Sequence, residues 1–138
     1  MRRLTTGILV TFFLFAFTAQ ADVYSISAAD KDFFGKIRTA ILGDDAEWLS
    51  KAISYPIVIK GNLKLKNTND LKQHADLVFS RRIKSAVRKQ SPDALFKNWQ
   101  GIMIGDGEIW FAKVAENTEK GEQWVYRIIA INLDGNLK

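Results

Sequence analysis

The chain contains no cysteine, one histidine and two prolines among 138 residues. Without cysteine the fold has no disulfide, no thiol or redox chemistry, and no attachment point for a lipoprotein lipid. A lone His74 with no cysteine beside it excludes the usual structural zinc sets and any imidazole metal triad. No internal repeat, low-complexity linker, G-x-S-x-G elbow or phosphate loop occurs, and Gly105-Asp106-Gly107 is a turn, not a nucleotide fingerprint. No cofactor is implied. There is one long apolar run, and it stands at the start.

Arg2 and Arg3 precede that run, which covers residues 7–17 and is broken only by Thr11; Ala19-Gln20-Ala21 follows it. Charge, apolar stretch and small-polar-small tripeptide make the pattern a signal peptidase reads, so cleavage after Ala21 is expected. Residues 1–21 are then a signal peptide, residues 22–138 one mature domain, and the periplasm its destination. The run falls short of the roughly 20 residues that cross a bilayer core, so no stable membrane anchor is expected. Arg2-Arg3 lacks the rest of a twin-arginine signal. Loss of two Arg leaves 18 basic against 15 acidic residues, a net charge of +3. That excess suits solubility and is too small to imply a polyanion partner.

Ser27 with Asp30 three residues on makes a capping pair. Phe33, Phe34, Ile37, Ala40 and Ile41 then recur at helical spacing up to Gly43, expected to be the left-handed stop. A second helix starts with Asp44 as N-cap and Glu47 as its reciprocal partner, buries Trp48, Leu49, Ala52 and Ile53, and closes before Pro56. Residues 57–60 and 63–66 around Gly61-Asn62 form a short hairpin. Leu71, Ala75, Val78, Phe79, Ile83, Ala86 and Val87 predict one long helix to about Lys89, the longest of the chain. Ser91-Pro92 opens one more turn towards Lys97. Residues 100–104 and 108–113 form a hairpin about Gly105-Asp106-Gly107, with Ile102 and Ile104 on one face, Trp110 and Ala112 together, and Ile109 and Phe111 opposite them. Residues 116–123 are polar and read as a loop. The segment 124–132 is apolar on both faces, which predicts a central strand covered on both sides.

Tyr55-Pro56-Ile57-Val58 after the Gly43-Asp44-Asp45 junction, the stretch Gly101 to Phe111, and Tyr126 to Asn132 resemble the nuclear transport factor two-like superfamily, and more closely its small exported bacterial members. The likeness spans residues 28–132. It implies an α+β cone: a curved antiparallel sheet wrapped around a long helix, with two N-terminal helices and a pocket between sheet and helices. Tyr126, Trp110, Trp124 and Tyr55 are the candidates for lining that pocket. The superfamily holds isomerases, dehydratases, toxin-immunity proteins and plain binding domains, so the fold does not choose the function.

Enzymes of this kind usually carry an Asp, His or Tyr on the concave sheet. The strands here offer only Glu108, Lys113, Tyr126 and Arg127. Glu108 beside its turn is expected to be solvated, Arg127 to face away from the pocket, and Tyr126 to be a core aromatic with its hydroxyl at the rim. His74 reads as a helix-boundary residue, and Asp44 and Asp45 as caps. No catalytic residue is assigned. Arg81, Arg82, Lys84, Arg88 and Lys89 form a basic helix face on which Arg81, Lys84 and Arg88 are candidate partner contacts. Without interleaved aromatics this face is not a nucleic-acid site. The expectation is an exported non-catalytic binding domain, such as an immunity or inhibitor protein, whose partner is another protein or a small apolar ligand. A small-molecule isomerase or dehydratase using the pocket, and a homodimeric assembly subunit, are the alternatives.

Overall fold

In the computed structural model, which describes residues 23–134, helix α1 (Ala28–Leu42) begins as its sequence requires. Ser27 Oγ accepts the Asp30 N–H at 3.1 Å, and the Asp30 carboxylate accepts the Ser27 N–H at 2.9 Å. The expected signal peptide and its cleavage point lie outside the described residues. Phe34, Ile37 and Ile41 of α1 are fully buried, and a side chain of that size contributes roughly 1.5–3 kcal/mol when it leaves water. Gly43 does not stop the helix in a left-handed conformation, its φ being −94°. Asp44 takes that role at φ 53°, which a short polar side chain tolerates, and the Asp45 N–H reaches back to Ala40 O at 2.8 Å. The cap of α2 (Ala46–Ala52) is therefore Asp45, not Asp44; its carboxylate accepts the Trp48 N–H at 3.0 Å. Glu47 turns outward, held at about 2 by hydrogen bonds and charge from Lys51 and Lys72.

Strands β1 (Ile57–Lys60) and β2 (Leu63–Leu65) form the expected hairpin, with Gly61 at φ 51°. The long helix expected next is three helices: α3 (Thr68–Gln73), α4 (Ala75–Val78) and α5 (Arg81–Lys89). On a continuous helix Val78 and Ile83 would point roughly 140° apart, yet Leu71, Val78, Ile83 and Val87 are all fully buried. The breaks at His74 and Ser80 turn each apolar stripe back to the core. Ser80 makes the second break a new start, its hydroxyl accepting the Ile83 N–H. The longest helix is α1.

The turn at Ser91 is a single 3-10 turn (Pro92–Ala94), followed by a short strand that the spacing did not predict, β3 (Phe96–Asn98). It pairs with β4 (Gly101–Ile104), which pairs with β5 (Ile109–Thr118), which pairs with β6 (Gly121–Ile131), all antiparallel in the order β3-β4-β5-β6. Residues 116–123 are thus not a loop. Both strands run on as a two-stranded ribbon to a tight turn at Glu119-Lys120, and its polar composition reflects water on both sides. Nor is β6 central. It is the last strand of this sheet, flanked by a parallel bridge from Ile53 to Ile128 and by the Ser54 N–H on Ile128 O at 2.9 Å. The Leu133 N–H on Ile59 O, at 3.0 Å, ties β1 to its end.

Register assigns the two faces. Lys97, Ile102, Phe111 and Ile128 form one cross-strand row towards α1, continued by Ile104, Ile109 and Ile131. All but Lys97 are buried. Phe96, Met103, Trp110 and Ala130 form the neighbouring row on the opposite face, and none of these is buried. The molecule is an α+β domain with helices on one face of its main sheet.

Candidate functional site

The N-terminus of α1, the β3–β4 connection and the middle of β5 and β6 enclose an open cleft of about 390 Å³. Asp30 lies at its base. Its position on the stripe shared with Phe34, Ile37 and Ile41 buries it, and an isolated carboxylate there would be very costly. Three donors resolve this. Tyr126 Oη donates to Oδ1 at 2.6 Å, while Oδ2 accepts the Ser27 N–H and the Lys97 Nζ, each at 2.9 Å. Burial works to raise the acid's pKa, but the bonds from Tyr126, Ser27 and Lys97 outweigh it and hold Asp30 at about 2. Burial and the hydrogen bond to Asp30 push the Tyr126 hydroxyl up to about 12. The pair is fixed as carboxylate and neutral phenol across the neutral range.

Packing fixes Tyr126 from below. Its ring stacks on Phe33 with centroids 5.1 Å apart, and Phe33 touches Trp48 and Phe111 at 5.9 and 5.5 Å. Such pairs add about 0.5–1.5 kcal/mol beyond their buried area. Above the ring stands the Lys113 ammonium, 5.2 Å from its centroid. Asn98, Trp99, Gly101, Ile102 and Ala112 complete the walls. Gly101 is required there: at φ 142°, a Cβ would come within 2.8 Å of Phe111 O.

Of the four expected pocket residues, only Tyr126 lines this cleft. Trp124 is two residues along the same face of β6 and 67% exposed, outside the walls. Trp110 faces the other side of the sheet beside Ile129 and Ala130. Tyr55 lies near α2, its hydroxyl donating to Ser50 O at 2.7 Å, and burial with the nearby Asp70 charge pushes it to about 12. Asp30, Lys97, Trp99 and Lys113 are what sequence reasoning missed as a group. The one available signal was an acid on an otherwise apolar helical stripe.

Glu108 is not solvated. It is buried beneath a second cleft, between α5 and the Gly105 turn, where Oε2 accepts the Asp106 N–H at 2.6 Å and Arg82 approaches Oε1 at 3.4 Å. Gly105 and Gly107 there have φ 68° and 105°, as the hairpin requires. The basic face of α5 is also changed. Lys84 is engaged by Asp44 at 2.6 Å, leaving Arg81 and Arg88 of the three candidates exposed. His74 stands between α3 and α4, half-buried, as a boundary residue. Arg127 does face away from the cleft, paired with Glu116 at 2.7 Å. No group of three or more His, Cys, Asp or Glu suited to a metal occurs among the described residues, and no described helix is long and apolar enough to cross a membrane.

No protein-family model matches the chain, and no curated protein and no solved structure matches it significantly.

Proposed function

We propose that this chain is an exported, non-catalytic binding domain of the nuclear transport factor two-like kind, which docks on a protein outside the cytoplasm as an immunity or inhibitor protein docks on a toxin or hydrolase. Support for that fold comes from the element order, two helices, a hairpin, helices and then a meander, and from α1 lying against one face of the sheet. The observation that carries the functional reading is the state of Asp30 and Tyr126. A group that transfers protons works best with a pKa near the operating pH, and these two sit at about 2 and about 12. The phenol proton is held by the carboxylate, which also accepts from Lys97 and Ser27. Trp99, in the cleft wall, is 80% exposed, and Trp124, beyond the walls on the same face of β6 as Tyr126, is 67% exposed; tryptophan is enriched where protein interfaces gain their energy.

The test is capture from periplasmic extract by the exported protein and its variants. Capture survives His74→Ala and Tyr126→Phe and is lost when Trp99 and Trp124 are both replaced by Ser. The reverse pattern in folded variants rejects docking and restores the isomerase or dehydratase reading. Intact mass of the exported product, starting at Asp22, checks the compartment.

A second reading, a homodimer, is favoured by the outer row of Phe96, Met103, Trp110 and Ala130. The ion pair of this face, Arg127 with Glu116, is neutral as a unit, so it adds no net charge where two copies would meet. Sedimentation of wild type and Trp110→Lys distinguishes a dimer from a monomer.

A further inference from the structure

Four features of the cleft bear on what enters it. Asp30 accepts three hydrogen bonds, and its charge is already matched by Lys97. Lys97 Nζ donates to Asp30 and, at 3.3 Å, to Ser25 O, which leaves one of its three N–H groups. Lys113 makes no ion pair among the described residues; its ammonium is held over the Tyr126 ring instead. The rest of the wall is uncharged: Trp99, Ile102, Ala112, Gly101, the Asn98 amide and Ser27, whose hydroxyl already accepts the Asp30 N–H. The lining therefore carries one uncompensated positive charge, set against aromatic surface. Lys60, Lys64 and Lys66 differ, because they stand outward on the β1–β2 hairpin and its end, where water surrounds them.

Resting on the docking reading above, we infer that this cleft receives an acidic side chain, a Glu or Asp flanked by an apolar residue, presented by the protein partner. The carboxylate meets Lys113 and the remaining Lys97 N–H, and the apolar neighbour packs on the Trp99 indole. Charge complementarity selects the acid. A neutral amide of the same shape leaves Lys113 unmatched beneath the contact, and a basic side chain adds a like charge.

Two tetrapeptides are the probes, N-acetyl-Ala-Glu-Leu-Ala-amide and its Gln twin, titrated into the nitrogen-15-labelled exported protein. The Trp99 indole and Lys113 amide signals report binding. The Glu peptide shifts both, the Gln twin binds about tenfold more weakly or worse, and added salt weakens the Glu peptide. Lys113→Met keeps the aliphatic stem over Tyr126 and reduces affinity by about tenfold, whereas Lys113→Arg stays near wild type. Equal binding of the two peptides, undiminished binding by Lys113→Met, or no shift up to saturating peptide overturns the inference. If Lys113→Met keeps full partner capture while the Trp99 and Trp124 replacement abolishes it, docking stands and the acidic contact falls. If capture is indifferent to all of these variants, the docking reading itself falls.

Discussion

Asp30, in the first turn of α1, and Glu108, beside the Gly105–Gly107 turn, are both buried carboxylates, yet their surroundings differ in kind. Asp30 draws one donor from α1's own cap and two from distant strands, β3 and β6, and so links parts of the domain 96 residues apart in sequence. Glu108 closes its own turn through the Asp106 N–H and reaches one long-range cation, Arg82, at the edge of hydrogen-bond distance. The first is a tertiary link and the second a local brace. Their clefts differ accordingly. The Asp30 cleft is walled by the exposed Trp99 and holds the Lys113 ammonium over Tyr126, while in the Glu108 cleft the buried carboxylate meets Arg82.

The sharpest way to break this contrast is Asp30→Ala. It strips the partner from the Lys97 ammonium and the Tyr126 hydroxyl at once, and should cost about 3 kcal/mol in denaturant unfolding; a loss no larger than that of Glu108→Ala would erase the distinction. Next comes Gly105→Ala. At φ 68° a Cβ would stand 2.3 Å from Glu108 Oε2 and 3.0 Å from Ala86 Cβ, so a loss of about 2 kcal/mol is expected. Part of that loss should vanish in the Glu108→Ala background, a coupling that a double-mutant cycle reads directly.

Tyr126→Phe is milder, because Asp30 keeps the Ser27 and Lys97 donors. Thermal and urea unfolding should show about 1.5 kcal/mol with the aromatic stack on Phe33 retained; a loss above that of Asp30→Ala would mean the hydroxyl serves another group. A further effect is one of pH. Asp30 is lowered from 3.8 to about 2, so its contribution is complete above pH 4 and disappears as pH falls through about 2. The stability difference between wild type and Asp30→Asn should therefore be flat at neutral pH and narrow between pH 4 and 2. A difference that widens on acidification contradicts the pairing.

Local chemistry made much of the fold legible. The Ser27–Asp30 cap, the α1 stripe, the Gly61-Asn62 and Gly105–Gly107 turns and the alternation of Ile109, Trp110, Phe111 and Ala112 are all short-range patterns. Apart from the local shift of the left-handed residue to Asp44 and of the α2 cap to Asp45, the errors share one cause, which is that each needed a distant partner to decide it. The stripe from Leu71 to Val87 fits one helix until the core demands that Val78 and Ile83 face the same way. Residues 116–123 look like a loop because ribbon pairing outside the core leaves no apolar alternation. The apolar outer face of β6 suggested cover that the sheet does not supply.

The sequence alone determined the Ser27–Asp30 cap, the glycine turns, the apolar stripe of α1, the absence of cysteine chemistry and the shortage of titratable groups on the strands, because each depends on residues within a few positions of one another. Only the tertiary structure decided that Asp30 is more than a cap. Its bonds to Lys97 and Tyr126 depend on α1 packing against a sheet that lies 67 and 96 residues further along the chain at those two contacts, and the pairing of β5 with β6 sets Lys113 over the Tyr126 ring. A hydrogen bond across 96 residues has no local periodicity to announce it.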